Sequence, residues 1–335
     1  MKRTIAFFAA VILSAFCLPP LVSMVTQSRG NSGEISLSDG DAITAGNFSE
    51  PFVLTVFNSS NNTTEQVELE EYLVGVLAGE MPPTYHNEAL KAQAIAARSF
   101  ILSKAAECMM GSAAPEHNGA MVCTDYKHCK AWQSIDDVKK KWDTRFADDY
   151  EAKIRQAVEQ TSGEYMVYDN KVVKAYFYAI SSGRTENCAE IWGKDIPYLK
   201  SVASREDIGT DGYESMSTYP KDLFLQKLRS ISNYEQTDIT IGEIKRTQGG
   251  SVSEIAIGGN AYTGEKIREA FNLRSANFEI LINGDKITFR VKGYGHGVGM
   301  SQNGANVLAQ DGKTSREILK HYYSGVDIVN LYKKA

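Results

Sequence analysis

Glu80 is placed to exchange a proton with a bound ligand. It lies two residues before the Pro82-Pro83 pair, and proline ends a helix because it restricts the preceding residue to extended conformations and donates no backbone N–H. Glu80 would therefore lie at the C-terminal end of a helix. There the negative end of the helix dipole and apolar cover from Met81 both disfavour an ionised carboxyl, which suits a general acid. The alternative is a solvated last-turn carboxylate with no chemical role.

A second group of side chains has the composition of a metal site. His117, Cys123 and Cys129 follow one another at intervals of six residues. Thiolate and imidazole groups suit zinc, although this spacing is not that of a zinc finger. His128, Cys108 or a water molecule would supply a fourth ligand. A disulfide, which exported proteins form, and solvent-facing histidines are the alternative interpretations.

Two further stretches combine glycine with polar side chains. Residues 181–185 read SSGRT at the end of a predicted strand, and residues 293–299 read GYGHGVG. Glycine lets a ligand approach the backbone closely, so Ser182 and His296 are candidate ligand contacts. A tight turn explains the first stretch equally well. The second stretch is not a phosphate loop, because no Lys-Ser or Lys-Thr pair follows it.

A pair of helices must position Glu80. In residues 71–100, apolar side chains recur every three or four positions on both sides of the proline pair, which predicts two helices joined at a corner. Asn87 is a candidate N-cap of the second helix, and the alanines of that helix allow close packing. Arg98 lies on the second helix, and we expect it to face the corner that carries Glu80.

The rest of the chain mixes helical and strand periodicity. A charged amphipathic helix is predicted over residues 135–160 and a polar loop over 198–219. Two strands are predicted within residues 239–257, and a hairpin around Asn283-Gly284. This order predicts an α+β fold, in which helices of the first half pack against an antiparallel sheet of the second half around a central cleft.

The N-terminus has the pattern of a membrane anchor. Lys2 and Arg3 precede an uncharged run in which residues 5–25 are long enough to span a bilayer. Basic residues before such a span predict a cytoplasmic N-terminus and an exported body, and a cleaved signal peptide is the alternative. The predicted segments are an anchor over residues 1–27, a flexible tether over 28–50 and the main domain over 51–335.

The composition narrows the class of partner. Of the 335 residues, 43% are hydrophobic and 23% are charged, which is ordinary for a globular protein. The formal net charge is −5, so no broad basic surface is expected. This charge balance argues against a nucleic-acid partner.

Three stretches together resemble a known family. Residues 79–100 read GEMPPTYHNEALKAQAIAARSF, residues 181–193 read SSGRTENCAEIWG and residues 293–305 read GYGHGVGMSQNGA. In this order they resemble the motifs of the SpoIID/LytB family, and most closely those of its sporulation members. Tyr294 and Asn303 replace tryptophans that are frequent in the family, which weakens one stacking surface for sugars.

This resemblance implies an activity and a cellular setting. The family's sporulation members are membrane-anchored lytic transglycosylases that cleave peptidoglycan strands in septal wall remodelling and engulfment, and their catalytic glutamate corresponds to Glu80. Proteins of this type carry zinc in the segment of His117, Cys123 and Cys129, and we expect that zinc to be structural. The implied partners are a peptidoglycan amidase and membrane proteins of the engulfment machinery. The implied location is the outer face of the mother-cell membrane at the sporulation septum.

One carboxylate suits this reaction better than hydrolysis. Glycoside hydrolases usually use two carboxylates, and Glu80 has no partner at a recognisable spacing. In transglycosylation the same carboxyl protonates the leaving oxygen and then takes a proton from the substrate's own 6-hydroxyl, which closes a 1,6-anhydro ring. We expect Arg98 to hold the substrate, and Tyr176, Ser182 and His296 to hydrogen-bond the sugars. The competing functions are a zinc-dependent wall hydrolase and a non-catalytic glycan-binding scaffold that recruits an amidase.

Overall fold

The computed structural model describes residues 43, 48–49, 51–125, 128–130 and 132–332. These residues belong to one compact unit that spans Leu37–Ala335. In these ranges, no helix combines the length and the apolar character needed to cross a bilayer. The predicted anchor over residues 1–27 and most of the predicted tether lie outside the described residues.

The described chain is a mixture of helices and short strands. The helices are α1 (Leu69–Glu80), α2 (Asn87–Met109), α3 (Ile135–Lys139), α4 (Ala147–Gln160), α5 (Cys188–Trp192), α6 (Lys221–Ile231), α7 (Gly264–Ala270), α8 (Gln302–Gln310) and α9 (Ser315–Tyr322). The strands are β1 (Val53–Asn58), β2 (Thr63–Glu68), β3 (Val122–Cys123), β4 (Glu164–Tyr168), β5 (Lys171–Val172), β6 (Phe177–Tyr178), β7 (Glu214–Pro220), β8 (Ile241–Arg246), β9 (Val252–Ile257), β10 (Asn260–Tyr262), β11 (Phe278–Asn283), β12 (Lys286–Lys292), β13 (Met300–Ser301) and β14 (Asp327–Asn330).

Helix α2 is the centre of the first hydrophobic core. It packs against α1, α4, α8, α9 and strand β4, and it is buried on nearly all sides. Ala92, Ala96 and Ala97 are fully buried; their small side chains let neighbouring helices approach closely. The β1–β2 hairpin, with β3 parallel to β1, covers one side of this core, and the β14–β4–β5 sheet covers another.

A second hydrophobic core lies between two antiparallel sheets and helices α6 and α7. The sheets have the strand orders β10–β9–β8 and β11–β12–β7. Strand β12 alternates, with Ile287, Phe289 and Val291 fully buried and the residues between them turned outward, as a sheet with one packed face requires. Phe224 of α6 and Phe271, which follows α7, pack on Phe289.

The fold class is α+β, as the sequence predicts, with the helices mostly in the first half and the sheets in the second. The two strands expected within residues 239–257 are β8 and β9, and the Asn283-Gly284 turn joins β11 to β12. Both predictions depended on local signals, namely alternation and a favoured turn pair, which the tertiary structure leaves in place.

Three local predictions were wrong. The helix predicted over residues 135–160 is divided into α3 and α4, because the Asp143 carboxylate accepts the backbone N–H of Arg145 at 3.0 Å and offers a local turn instead of a helix. His86, not Asn87, caps α2, since its Nδ1 accepts the N–H of Glu88 at 3.2 Å. The loop predicted over residues 198–219 contains most of strand β7, which pairs with β12.

Candidate functional site

Glu80 is the last residue of α1 and lies at the corner before the two prolines. Met81 is extended, with φ −126° and ψ 142°, as the residue before a proline must be. Its N–H closes the last helical turn on the carbonyl of Leu77 at 3.1 Å, and its side chain is buried. The Glu80 side chain is half-buried. Its carboxyl therefore lies at the negative end of the helix, beside apolar cover.

The start of α8 holds this corner from the opposite side. The amide of Gln302 donates from Nε2 to Oε2 of Glu80 at 3.5 Å. Four residues further along α8, Oδ1 of Asn306 accepts the backbone N–H of His86 at 2.7 Å, and His86 follows the corner directly. Gln302 was missed by the sequence analysis, although it lies inside the third family motif, because no pattern reveals which residue faces Glu80.

A buried carboxylate fixes the start of α8. Asp207 is fully buried and accepts hydrogen bonds from Oγ of Ser301 at 2.9 Å, Nδ2 of Asn303 at 3.1 Å and Oγ of Ser204 at 2.8 Å. Burial raises the pKa of Asp207, and these hydrogen bonds oppose that rise. Ser301 and Asn303 flank Gln302 on either side, so Asp207 indirectly sets the direction in which Gln302 points.

Tyr176 and His296, predicted separately, lie together in an aromatic cluster with Trp192. The ring of Trp192 is 4.7 Å from that of Tyr176 and 5.1 Å from that of His296. Trp192 is 39% exposed, so its indole offers a free face beside the two predicted residues. Trp192 was not among the predicted contacts, although a tryptophan within a family motif is a usable signal.

The imidazole of His296 is neutral in the folded chain. Its Nδ1 accepts the backbone N–H of Val298 at 3.1 Å. Burial, together with the positive charges of Lys130 and Arg268, lowers the pKa of His296 to about 3. A neutral ring that accepts at Nδ1 carries its proton at Nε2, and the ring also hydrogen-bonds to the backbone of Phe177.

Ser182 lies where the second core meets the glycine-rich loop. Its hydroxyl donates to the carbonyl of Gly249 at 3.3 Å. The backbone around it is held tightly, because a Cβ at Gly293 would lie 3.0 Å from the amide nitrogen of Ser182. Ser182 is half-buried, and its predicted contact with a sugar stays a prediction.

Arg98 is not in this cluster, and its contacts do not favour the predicted role in holding substrate. The side chain is fully buried. Its guanidinium pairs with the Glu70 carboxylate through Nε at 3.1 Å and Nη2 at 2.5 Å, and donates through Nη1 to the carbonyl of Glu164 at 2.8 Å. A buried guanidinium with these donors engaged joins α2 to α1 and to β4, and we assign it a structural role.

Lys130 lies close to the cluster and was also missed. Its side chain is 9% exposed, and its Nζ lies 3.8 Å from the ring centre of Phe177 and 4.1 Å from that of Phe100. Burial lowers the pKa of Lys130 to about 8, while the negative charge of Glu80 acts in the opposite direction. The Lys130 ammonium is thus buried between aromatic rings, and the negative charge of Glu80 favours its charged form.

The predicted metal ligands converge on one buried point, with His128 as the fourth member. The ligand atoms of His117, Cys123, His128 and Cys129 all lie within 4.8 Å of one another. Nε2 of His117 is 3.1 Å from Sγ of Cys129, and Nδ1 of His128 is 3.6 Å from Sγ of Cys123. Cys108 instead lies near the carbonyl of Gly119, so the geometry selects His128 over Cys108.

The donor set fits a zinc ion. Tetrahedral zinc with bonds of about 2.0–2.3 Å separates its ligand atoms by about 3.3–3.8 Å, which the two distances above approach. The four cysteines of the described ranges are free thiols, which disfavours the disulfide interpretation. Burial raises the pKa of the Cys129 thiol and lowers the pKa of His117. A bound cation would supply the charge that a buried thiolate requires.

Comparisons with known proteins find sporulation proteins and an amidase enhancer as relatives. The SpoIID family model, described as stage II sporulation protein, matches residues 58–168. Stage II sporulation protein D of Bacillus amyloliquefaciens is 42% identical over 83% of this chain and 79% of its own length. The protein of the same name in Bacillus subtilis (strain 168) is 36% identical over 95% of each chain. A Bacillus subtilis protein named amidase enhancer is 27% identical over 77% of this chain and 40% of its own length.

Proposed function

The chain belongs to the SpoIID family of stage II sporulation proteins, and we propose that it is a lytic transglycosylase that cleaves the glycan strands of peptidoglycan during sporulation. The observation that carries this proposal is the position of Glu80. Its carboxyl is half-buried at the negative end of α1 and receives a hydrogen bond from Gln302. This is a suitable setting for a group that must both give and take a proton.

The reaction requires Glu80 to donate a proton and then to accept one. Protonated Glu80 gives its proton to the oxygen of the glycosidic bond, and that bond breaks as positive charge develops at C1 of the sugar. The Glu80 carboxylate then takes the proton of the 6-hydroxyl of the same sugar. The freed 6-oxygen attacks C1 and closes the 1,6-anhydro ring. The enzyme returns to its starting state and no water is consumed, so no second carboxylate has to activate a water molecule.

Substrate binding is proposed for the groups around the aromatic cluster. We propose that Tyr176 and the neutral His296 contact the sugars, and that a sugar ring packs on Trp192, which is partly exposed beside them. Ser182 would bind at the other end of the glycine-rich loop. Arg98, which is fully buried, is left out of this proposed set.

We also propose a structural zinc ion held by His117, Cys123, His128 and Cys129. Four protein ligands leave no open position for a reacting water, and thiolates reduce the Lewis acidity of zinc. When bound, the ion supplies positive charge that keeps both thiols ionised and joins the segment to its neighbours. This arrangement disfavours the alternative of a zinc-dependent wall hydrolase.

The cellular setting is proposed from the sequence and the relatives. We propose that the segment over residues 5–25 anchors the chain in the membrane with its domain outside the cytoplasm. The relative named amidase enhancer supports a wall amidase as a partner, and membrane proteins of the engulfment machinery remain expected partners. Recovery of the full-length chain in washed membranes tests the anchor, and a soluble chain that begins near residue 25 would contradict it.

Substitution of Glu80 tests the proposal. Glu80→Gln keeps the shape of the side chain and its hydrogen bond but cannot transfer a proton, so the rate of glycan cleavage should fall by about 10²–10⁴ or more. Binding to glycan strands should persist. Glu71→Gln, an exposed glutamate on the same helix, is the matched control and should leave the rate unchanged. Full activity of Glu80→Gln would return the chain to the scaffold hypothesis.

A further inference from the structure

A short loop of the second core lies against the segment that carries Ser182 and Trp192. The loop covers residues 247–251 and joins β8 to β9. Three side chains of the segment, spaced four residues apart, form hydrogen bonds with the backbone of this loop. They are Ser182, which donates to the carbonyl of Gly249 at 3.3 Å, Glu186, which accepts the N–H of Ser251 at 3.0 Å, and Glu190, which accepts the N–H of Gln248 at 3.1 Å.

The 247–251 loop is itself fixed to the second core. The backbone N–H of Thr247 donates to the carbonyl of Ser251 at 2.9 Å and closes the loop. Arg246, directly before it, donates through Nη1 to the carbonyl of Gly250 at 2.8 Å and through Nη2 to the carbonyl of Phe278 at 2.9 Å. Because Phe278 is buried in the second core, the loop is a firm support for what it contacts.

Glu186 is the middle one of the three contacts, and its side chain is almost fully buried. The side chain lies between two glycines, one from each loop. A Cβ at Gly249 would come within 2.4 Å of Cδ of Glu186, and a Cβ at Gly297 within 2.6 Å of its Cγ. Glycine on both sides lets the two backbones close on this side chain. Glu186 is therefore a spacer between the 247–251 loop and the glycine-rich loop.

The backbone of Glu186 is joined to His296 through a single peptide group. The N–H of Glu186 donates to the carbonyl of Gly297 at 2.7 Å. The other end of that peptide group is the N–H of Val298, which donates to Nδ1 of His296 at 3.1 Å. Because a peptide group is planar and rigid, the position of Glu186 constrains the orientation of the imidazole ring.

The third contact supports the helix that carries Trp192. Glu190 and Trp192 both belong to α5, so the hydrogen bond from Gln248 ties this helix to the same loop. Three of the four proposed sugar contacts, at Ser182, Trp192 and His296, are thus connected to the 247–251 loop directly or through Glu186.

We propose that Glu186 is a positioning residue for glycan binding, which holds the 247–251 loop and the glycine-rich loop at a fixed distance so that Ser182, Trp192 and His296 contact one glycan strand together. The inference rests on the proposed function. Groups that are already in place when the ligand arrives need not be ordered by it, and this preorganisation raises affinity. Glu80 is held separately, by Gln302, so Glu186 should act on binding more than on bond cleavage.

Two substitutions of Glu186 test the spacer. Glu186→Ala removes it, whereas Glu186→Gln keeps its shape and an oxygen that can accept the N–H of Ser251. Calorimetry with soluble peptidoglycan glycan strands measures the dissociation constant, in the full-length chain carrying Glu80→Gln so that the strands stay intact. Glu186→Ala should weaken binding about tenfold, because the ligand must then order the loops. Glu186→Gln should bind almost as the parent chain does.

A matched control separates the spacer from a general loss of charge. Glu254 is a half-exposed glutamate on β9 of the same core, where it pairs with Lys245. Glu254→Ala removes an identical side chain away from the two loops and should leave the dissociation constant unchanged.

A methyl group at Gly249 displaces the spacer without removing it. Gly249 is not among the residues with a left-handed backbone, so the main strain in Gly249→Ala is the collision with the Glu186 carboxylate. Gly249→Ala should weaken glycan binding when Glu186 is present and add little in Glu186→Ala, where the methyl has room. Equal added losses in the two backgrounds would mean that the residues act independently, and would overturn the inference.

Turnover distinguishes positioning from a general loss of structure. In the chain with Glu80 intact, Glu186→Ala should raise KM by about the factor found for binding and leave kcat near the wild-type value, as expected when binding is lost equally from substrate and transition state. A lower kcat with unchanged KM would contradict the proposed role.

The outcomes separate this inference from the proposed function. An unchanged dissociation constant in Glu186→Ala overturns the inference even if the wild-type chain cleaves glycan. A wild-type chain that binds glycan without cleaving it overturns the proposed function, and the binding measurements still decide the inference. A wild-type chain that binds no glycan overturns both. If Glu186→Ala does not fold, Glu186→Asp, which is shorter by one methylene and withdraws the carboxylate from Ser251, replaces it.

Discussion

Two buried cations of the first core have different partners. Arg98 lies in a family motif and pairs with a carboxylate, whereas Lys130 lies outside the motifs and faces aromatic rings. A family motif reports that a residue matters, but burial and hydrogen-bond partners decide whether it matters for stability or for chemistry. At the residue scale, the contacts of Arg98 favour a structural role, whereas the sequence predicted a contact with substrate.

Arg98 should matter for stability. Arg98→Met removes a fully buried guanidinium from the Glu70 carboxylate, which is 24% exposed. Because Glu70 keeps some contact with water, we expect the free energy of unfolding to fall by about 2–4 kcal/mol, measured by urea denaturation. Arg155→Met breaks an exposed ion pair with Glu71, which is the neighbour of Glu70 on α1. This variant should lower the free energy of unfolding by less than about 1 kcal/mol. A stable Arg98→Met variant that binds glycan poorly would restore the predicted substrate contact.

At the scale of helices and strands, the sequence predicts those boundaries and turns that neighbouring residues determine by themselves. Pro82-Pro83 ends α1 at Glu80, and the Asn-Gly pair forms its hairpin. Strand β7 escaped prediction because it alternates exposed and half-buried residues without an apolar face, and it is a strand because β12 pairs with it. Glu80 was predicted from the proline pair and the family resemblance, and the metal ligands His117, Cys123 and Cys129 from their spacing and the same resemblance. Gln302 reaches Glu80 across 222 residues of chain, a contact that no local pattern contains.

Gly299 should be required for the packing of the glycine-rich loop against strand β6. It has a φ of +83°, and a Cβ there would collide with the carbonyl oxygen of Tyr176. Gly299→Ala should therefore lower the free energy of unfolding by more than the roughly 1–2 kcal/mol that a left-handed backbone costs a non-glycine residue. Gly312 has a φ of +85°, and no atom lies within 4 Å of a Cβ built there. Thermal unfolding of Gly312→Ala should therefore show only the free-energy cost of the left-handed backbone. Equal losses in the two variants would refute the proposed collision.

The Cys/His cluster should hold about one zinc ion per chain. Metal analysis after purification without added metal measures this directly. Cys123→Ser and His128→Ala should each lose zinc and lower the unfolding temperature, because metal binding is linked to folding. Cys108→Ser is the matched control and should keep both. Full metal retention in the Cys123→Ser, His128→Ala double variant would exclude this site.

At the scale of the whole molecule, the proposed substrate contacts depend on both cores. Tyr176 belongs to the first core, whereas the hydroxyl of Ser182 donates to a loop of the second. Glu186 joins the two regions, since its backbone N–H donates to the carbonyl of Gly297 at 2.7 Å and its carboxylate accepts the N–H of Ser251 at 3.0 Å. The glycine-rich loop is therefore held between the two cores, as a substrate-binding segment between packed layers would be.

The chemical form of the new chain end tests the central claim most directly. Purified glycan strands are digested with the wild-type chain in water labelled with heavy oxygen, and the products are analysed by mass spectrometry, with Glu80→Gln as the inactive control. Lytic transglycosylation predicts products that end in a 1,6-anhydro sugar, lighter by one water than a hydrolysis product and free of the label. Products with a reducing end that carries heavy oxygen would contradict the account, because a water molecule would then have attacked C1 in place of the substrate's own hydroxyl.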